Sequence, residues 1–565
     1  AGEDGVNIKA LNNSIPFKVH GSVVSNSNIR VTNGSLESNV GVYAHTGCSG
    51  TIISTPPPAC GSGPTVDPDY LFEPAYGSNA VPTYRPVPAA VSANCPGKVM
   101  TFLPGYYDDA QALSSLTDGN GACKGSVWWF TPGTYYFDFH NSANPLLGGS
   151  DVWTMGNGQL VAGTPTNAAG VVLAKPANPS PSPGGCQNPI KSTSAVGVQF
   201  IFGGDSQFQL TGGNAELCAS YHPDRPPIAL YGMKTGAEGL VPTATVKPTS
   251  VKNPPAPALF DTATVTASNL ADDDSTGATW SKTAAGSQTA SFTLDGYAPA
   301  AVIPAGSVLK SATLRVVYKN TDGVTGDART VVLTPAAGGA AITSTLPATS
   351  VTPGVPDKIA LVDLYGGGTS ALATAVHSYG FTGASMAYSA KLTHTGTETV
   401  DALQLDLSYI PPAFRAQDTA ISGGNCIAAT YTSGGCAVLT TPTSYHDSFY
   451  IQGTTYVPRA VIDLALSNAT SQVLRFGVVA RSLWVKETGS FGYEGAVIEV
   501  PDNSPGFGPG GTVVYLAVYL CQAASTCSAG TGKLGLRARV LLYDPTTVPN
   551  PPARQITIQS WAVQR

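Results

Sequence analysis

The sequence predicts an all-β chain: a right-handed parallel β-helix (solenoid) formed by its N- and C-terminal arms, with a β-sandwich inserted between them. Three observations carry this expectation. Charged residues are only 11% of the 565, against roughly 25% in an average soluble protein, while Gly (63) and Pro (45) are abundant, a composition that disfavours helices and supplies turns. Short alternating apolar runs closed by glycine recur in both arms. Ten cysteines fall into five close couples, and none lies between Cys218 and Cys426, so two cysteine-bearing arms flank a different middle segment.

The first arm opens with Phe17, Val19, Ile29 and Val31 alternating with polar residues. Gly21, the Ser/Asn cluster at 25–28 and Asn33 with Gly34 cut this stretch into strands of three to five residues. Strands that short suit the rungs of a β-helix, where each coil buries its inner face against its neighbours. The pattern returns around Phe200, Phe202, Phe208 and Leu210 with Gly203, Gly204, Gly212 and Gly213, and again over residues 449–464 and 473–485. Separate sandwiches in each arm are the competing reading. Residues 55–96 and 175–189, both proline-rich, read as long loops pinned by disulfides, and residues 108–116 as a helix with two acidic residues in its first turn.

Residues 243–257 read as a stiff Pro/Thr/Lys spacer. Beyond it the strands lengthen. Ala312, Leu314, Val316 and Tyr318 share one face, as do Leu403, Leu405, Leu407 and Tyr409, which points to a sandwich closed by Pro411 and Pro412. The expected organisation is therefore 1–242, first part of the β-helix with disulfide-pinned loops; 243–257, linker; 258–412, inserted jelly-roll-like sandwich; and 413–565, second part of the β-helix.

An even cysteine count at short separations reads as local disulfides, Cys48–Cys60, Cys95–Cys123, Cys186–Cys218, Cys426–Cys436 and Cys521–Cys527. Such bonds need an oxidising compartment, so an extracellular location, secreted or attached to the cell surface, is expected. The chain starts at Ala1 with no Met or apolar leader, as after removal of an export signal. A net charge of −6 offers no basic stripe, which excludes a nucleic-acid partner, and the longest apolar run, residues 513–520, is too short to be a membrane span.

No catalytic constellation emerges. The paired carboxylates Asp67 with Asp69 and Asp108 with Asp109 read as a solvated loop and a helix start. His20, His45, His140, His222, His377, His394 and His446 never fall at metal-ligand spacing. There is no haem-attachment or nucleophile-elbow motif, and the glycines at 506–511 read as turns. Asp272 and Asp274 offer hard oxygens for Ca²⁺ but lack the glycine and distal acid of an EF-hand loop. No cofactor is expected. Tyrosines outnumber phenylalanines, 24 to 17, and crowd the first arm at Tyr70, Tyr76, Tyr84, Tyr106, Tyr107, Tyr135 and Tyr136. Their amphipathic rings suit protein contacts and sugar stacking alike.

At VHGSVVSNSNI (19–29), CSGTI (48–52), FTPGTYYF (130–137), GTTYVP (453–458) and SWAVQR (560–565) the chain resembles uncharacterised exported actinobacterial surface proteins of β-helix type, some encoded with pilus-type envelope systems. The middle segment, at ATL (312–314) and ALQL (402–405), is similar to jelly-roll modules of bacterial surface and carbohydrate-active proteins. The resemblance implies a surface protein and carries over no active-site residue. The expected function is a non-enzymatic extracellular structural subunit of a layer, filament or appendage, with self-association as its partner interaction. A carbohydrate-binding adhesin, with surface glycans as partners, is the alternative, and a polysaccharide-cleaving β-helix enzyme comes third.

Overall fold

The computed structural model describes residues 4–11, 16–73, 82–117, 121–139, 151–223, 225–236, 238, 241–256, 259–274, 276–320, 328–346, 358–368, 370–417, 437–466, 472–487, 496–500, 512–520, 533–543 and 555–563. The couples Cys426 with Cys436 and Cys521 with Cys527 lie outside these residues, as do Tyr76 and His140. The chain divides into two compact units, one holding both arms and one spanning residues 239–415.

The arms form one continuous parallel β-helix, whose main sheet has twenty strands. Three faces stack rung upon rung in the order A, B, C. Face A runs through Val99–Phe102, Val127–Phe130, Gln159–Ala162, Asn214–Cys218, Phe449–Gln452, Gln472–Arg475, Ile498–Glu499, Pro16–His20 and then residues 35–38 and 51–54. Face B runs through Gly105–Tyr107, Gly133–Phe137, Val198–Phe202, Ile228–Gly232, residues 454–457 and residues 478–480. It resumes as a separate small sheet, Ser22–Ser25, Gly41–Ala44 and Ala59–Cys60. Face C runs through Val152–Met155, Gln207–Leu210, Ala437–Thr441, residues 461–466 and 482–487, Asp4–Ala10, and residues 28–32 and 47–49.

The order of rungs is not the order of the chain. Residues 99–232 form one end of the stack, residues 437–499 continue it, and residues 4–60 form the other end, paired to the second arm through Leu483 with Val6 and Ile498 with Val19. Between adjacent faces the backbone must turn sharply within a few residues. The break expected at Asn33 and Gly34 is such a corner: both residues have left-handed φ (56° and 68°), and the continuous strand Asn28–Ser38 passes from face C to face A there. Gly133 opens a face B strand with φ 140°, and a Cβ there would lie 2.4 Å from Pro104 Cγ.

Alternation along each rung points one set of side chains inward. At one end these are aromatic: Phe130, Phe137, Trp153, Phe200 and Phe208 are fully buried, with centroids of Phe102 and Phe130 stacked at 4.4 Å and of Trp153 and Phe208 at 4.4 Å. Helix α1 (Ala110–Thr117) caps this end. Asp109 Oδ1 accepts from Ala112 N at 2.8 Å, so the helix begins at 110 rather than 108, and Ala110, Leu113 and Leu116 face the core.

An inward position in the second arm carries a carboxylate. Glu487 stands in register between Leu466 and Ala10, with both carboxylate oxygens buried and without a hydrogen bond among the described residues. Burial pushes its pKa up to about 8. Unfolded, a Glu ionises near pH 4.3, so between about pH 4 and pH 8 the native state holds a proton the unfolded state has released, and stability falls as pH rises through that window. Asp108, raised by burial to about 6, acts in the same sense at lower pH. Glu487→Gln is therefore expected to raise the melting temperature at pH 8 and to flatten the decline between pH 6 and 8. Thermal scans of both proteins from pH 5 to 9 check this; parallel curves would contradict it.

The second unit is a sandwich of two antiparallel sheets. One carries Thr243–Val246, Gly396–Ile410, Val308–Asn320 and Lys358–Asp363 in that order, with Ala278–Lys282 also on Gly396–Ile410; the other carries Ser250–Ala256, Gln288–Asp295, Ala384–Leu392, Ala328–Pro335 and Ile342–Leu346. Ala312, Leu314, Val316, Tyr318, Leu403, Leu405, Leu407 and Tyr409 all face its core, as their alternation predicts. Helix α2 (Ala371–Tyr379), which the sequence reading does not anticipate, is capped by Ser370 Oγ accepting from Ala373 N at 3.2 Å and ends at Gly380, φ 73°.

Two boundaries need correction. Residues 243–257 do not form a free spacer: Thr243–Val246 and Ser250–Ala256 are strands, one at the edge of each sandwich sheet. An edge strand tolerates prolines because one side of its backbone has no ladder to complete. Nor is 413–565 all β-helix, since Thr512–Leu520, Lys533–Tyr543 and Gln555–Val563 pair antiparallel in a sheet of their own.

Candidate functional site

Residues 61–73 and 82–98 lie along the outside of face B, and these two segments form a strap on it rather than a free loop. Outward positions on this face stack Tyr106, Tyr136, Ile201, Tyr231 and Tyr456 in register. The strap lies against that ladder. Thr65 and Asn26 exchange two hydrogen bonds of 2.7 Å; Tyr70 packs on Tyr456 at 5.3 Å; fully buried Phe72 packs on Tyr231 at 5.6 Å; Arg85 N donates to Tyr106 O at 2.8 Å. The disulfides Cys48–Cys60 and Cys95–Cys123 fasten its two ends.

The strap's charges are engaged. Tyr456 Oη donates to Asp67 Oδ1 at 2.8 Å, and Lys234 Nζ lies 3.5 Å from Asp67 and also bonds Asp69. Burial works against the Lys234 ammonium, but the two carboxylates outweigh it and hold its pKa above the ordinary value. Glu73 meets His222 Nε2 at 2.6 Å and Arg225 at 3.2 Å; burial alone would raise its carboxyl, yet these partners keep it below the usual range. The sequence reading of Asp67 and Asp69 as solvated misses this role. The signal that could have found it is the tyrosine ladder, which needs covering.

The outside of face A carries a second polar array. Glu216 Oε2 accepts from Gly184 N and Gly185 N at 2.8 and 2.7 Å, and its Oε1 accepts from Gln452 Nε2 at 3.0 Å. Gln452 Oε1 in turn accepts from Arg475 Nη1 at 3.1 Å, and Arg475 Nε lies 2.9 Å from Glu499. The loop closed by Cys186–Cys218 seals the array at Glu216, whose pKa burial raises. Cys186, Glu216 and Cys218 bring potential ligand atoms together, but both sulfurs are joined to each other, which removes them as metal ligands. A charged residue amid apolar ones in the strand Asn214–Cys218 was the available clue that the outer face is covered there.

Asp274 Oδ1 accepts from Thr276 Oγ1 and, at 2.9 Å, from Thr276 N; the hydroxyl bond first and the backbone bond second lower its pKa and close its own turn, and neighbouring Asp273 pairs with Arg315 at 2.6 Å. Among the described residues, neither Asp272 nor Asp274 belongs to a group of three ligating side chains.

An open concavity among the described residues lies on face B, lined in part by strap residues Thr65 to Pro68. It is a cleft of about 740 Å³ between residues 22–27 and residues 478–481, floored by Phe17, Val19, Leu36, Leu483 and Ile498. Asp67 and Arg481 are the charged residues at its rim. Its chemistry is that of strand edges around an apolar floor, and the one carboxylate at hand, Asp67, is held by Tyr456.

No protein-family model matches the chain, and no curated protein matches it. Among solved structures it is similar to the enzymatically active domain of tailspike protein 4 of bacteriophage CBA120, at 12% identity over 67% of this chain and 51% of that one, with a TM-score of 0.16. The chain thus spans about half the length of that solved chain. Strand register, not this likeness, defines the β-helix.

Proposed function

We propose that the chain is an extracellular structural protein that self-associates through the open end of its β-helix, as the subunit of a cell-surface layer, filament or appendage. The difference between the two ends of the stack carries this reading. At one end, Ser114 and Thr117 of α1 bond the backbone of Val152–Met155, and Thr83 and Arg85 bond the edge of Gly105–Tyr107. At the other, the strand Gly47–Ser54 has no strand beyond it among the described residues, and Ile53 is 54% exposed. Free edges are ordinarily guarded by Lys, Pro or a covering element. This one has no charged side chain from residue 46 to 66, so a second copy meets it without like-charge repulsion. Antiparallel pairing of two such edges is isologous and doubles the rod.

Disulfides, which form and persist in oxidising compartments, support an extracellular location. No described helix is long and apolar enough to cross a membrane. The engagement of Asp67, Glu73 and Glu216 in structural bonds favours a non-enzymatic role over polysaccharide cleavage.

Sedimentation velocity over a concentration series tests the proposal. A reversible dimer is expected, and Ile53→Lys, which sets two ammonium groups across the pairing axis, is expected to weaken it by about tenfold, 1.4 kcal/mol. A monomer at every concentration, together with binding on a glycan array, would replace this reading with the adhesin.

A further inference from the structure

We propose that the outer surface of face C, where the second arm stacks on the first, binds an acidic polysaccharide through Lys486, Lys9 and Arg30. Rung register brings the three together. Leu483, Val485, Val6, Ile8, Ile29 and Val31 point into the core, so the residues alternating with them point out. Lys486 is the direct cross-rung partner of Lys9, and Lys9 of Thr32; Trp484, Asn7 and Arg30 form the adjoining outward column. Adjacent rungs lie about 4.8 Å apart, so the Lys486 and Lys9 stems start at that separation, and Arg30 stands diagonally from Lys9. Lys9 and Arg30 are exposed and Lys486 is half-buried. Among the described residues none of the three forms an ion pair.

Like charges directly opposite one another destabilise a sheet, yet this chain, with only 11% charged residues, sets two ammonium groups in register. A partner that neutralises the pair removes that repulsion, and such complementarity selects a polyanion. The carboxylates of these rungs do not compensate. Asp4 accepts from Asn7 Nδ2 at 3.0 Å, Glu487 points into the core, and Asp463 is buried in the preceding rung. The rest of the surface narrows the class. Backbone groups here are spent on the ladders between rungs, so a peptide finds no strand edge to extend. What the surface offers is side chains: the three cations, the Thr32 hydroxyl, the Asn7 amide and the half-buried indole of Trp484 beside Lys486. Hydroxyl and amide groups meet sugar hydroxyls, the ring meets a sugar face, and the cations meet carboxylate or sulfate groups. No basic run in the sequence announces this surface, because residues 9, 30 and 486 meet only through stacking. It lies on the side of the rod, so this proposal and the open-end pairing stand or fail separately.

Titration of the full chain at low salt tests it, with oligogalacturonate as a carboxylated probe, sulfated dextran oligomers as a sulfated one and neutral dextran oligomers as control. At least one acidic probe is expected to bind, the comparison showing which acidic group the surface prefers, and binding is expected to weaken as salt rises. The double variant Lys9→Gln with Lys486→Gln is expected to lose affinity by about tenfold. Its melting temperature is expected to stay level or rise, because the substitution removes a repulsion; a fall would assign the lysines a structural role and overturn the proposal. So would no binding of either acidic probe, equal binding of the neutral control, affinity unchanged in the double variant, or a single-stranded DNA oligonucleotide bound as tightly as the acidic sugars.

Discussion

Glu398→Ala is expected to destabilise the sandwich by about 3 to 5 kcal/mol, the cost of leaving one member of a buried ion pair without its counter-charge. Glu398 and Arg329 are both fully buried. Arg329 Nε donates to Oε1 and Nη2 to Oε2, each at 2.6 Å; Tyr388 Oη donates to Oε1 at 2.6 Å and Asn320 Nδ2 to Oε2 at 3.2 Å. The guanidinium also lies over the Tyr318 ring, 5.5 Å from its centroid. Glu398 and Asn320 are cross-strand partners in one sheet, whereas Arg329 and Tyr388 belong to the other. The pair thus spans the sandwich core and fixes how the two sheets face each other. Removing the carboxylate strands a guanidinium among apolar neighbours, and burial combined with loss of that acceptor also exposes the cost of the Tyr388 hydroxyl. The double variant Arg329→Met with Glu398→Met removes both charges, so it should lie closer to the wild type than either single change, a coupling that a double-mutant cycle measures directly. Hydrogen exchange at Ala278–Lys282 reports the sandwich separately from the β-helix. A loss below about 1 kcal/mol for Glu398→Ala would mean that water reaches the pair.

Much of this architecture is written locally. Alternation assigned the core faces of Val308–Asn320 and Gly396–Ile410, and Asn33 with Gly34 marked a corner, because both signals depend on neighbours within a few residues. Rung order is different in kind. Nothing in Asp4–Ala10 specifies that it stacks on residues 482–487 rather than on the next segment of chain, since every rung presents the same backbone edge and a similar apolar face. The cleft inherits that opacity: its walls and floor come from residues 5–68 and 458–500, brought together by stacking alone. The edge strands within 243–256 were hidden by the Pro/Thr/Lys composition, which reads as a stiff extended spacer. The antiparallel C-terminal sheet did leave a trace. Its strands of nine and eleven residues are far longer than the three to five of most rungs, although Asn28–Ser38, Thr454–Leu466 and Val478–Glu487 reach similar lengths by passing from one face of the solenoid to the next.

Trp153→Ala tests whether the β-helix holds together rung by rung. The side chain is fully buried, with ring centroids 4.4 Å from Phe208, 5.4 Å from Phe137 and 5.6 Å from Phe130, and its Nε1 donates to Thr117 Oγ1 at 3.0 Å. Truncation opens a cavity inside an aromatic stack and removes one of the bonds that tie α1 to the strand Val152–Met155, so a loss of about 3 to 5 kcal/mol is expected. Trp129, one residue from a core position but pointing outward, donates to Gly163 O at 3.1 Å from a half-buried site, and its truncation should cost no more than about 1.5 kcal/mol. In a solenoid each rung contacts only its neighbours, so the loss from Trp153→Ala should concentrate between Val127–Phe130 and Gln207–Leu210 and fade toward residues 4–60 at the far end. The strap opposes that decay. It touches Asn26, Tyr456, Tyr231, Gln199 and Tyr106 in succession and is fastened at both ends by disulfides, which couples rungs that do not touch. Region-resolved hydrogen exchange of Trp153→Ala therefore weighs two forces: protection lost only near the substitution means nearest-neighbour stacking dominates, while equal loss at residues 28–38 means the strap makes the rod one cooperative body.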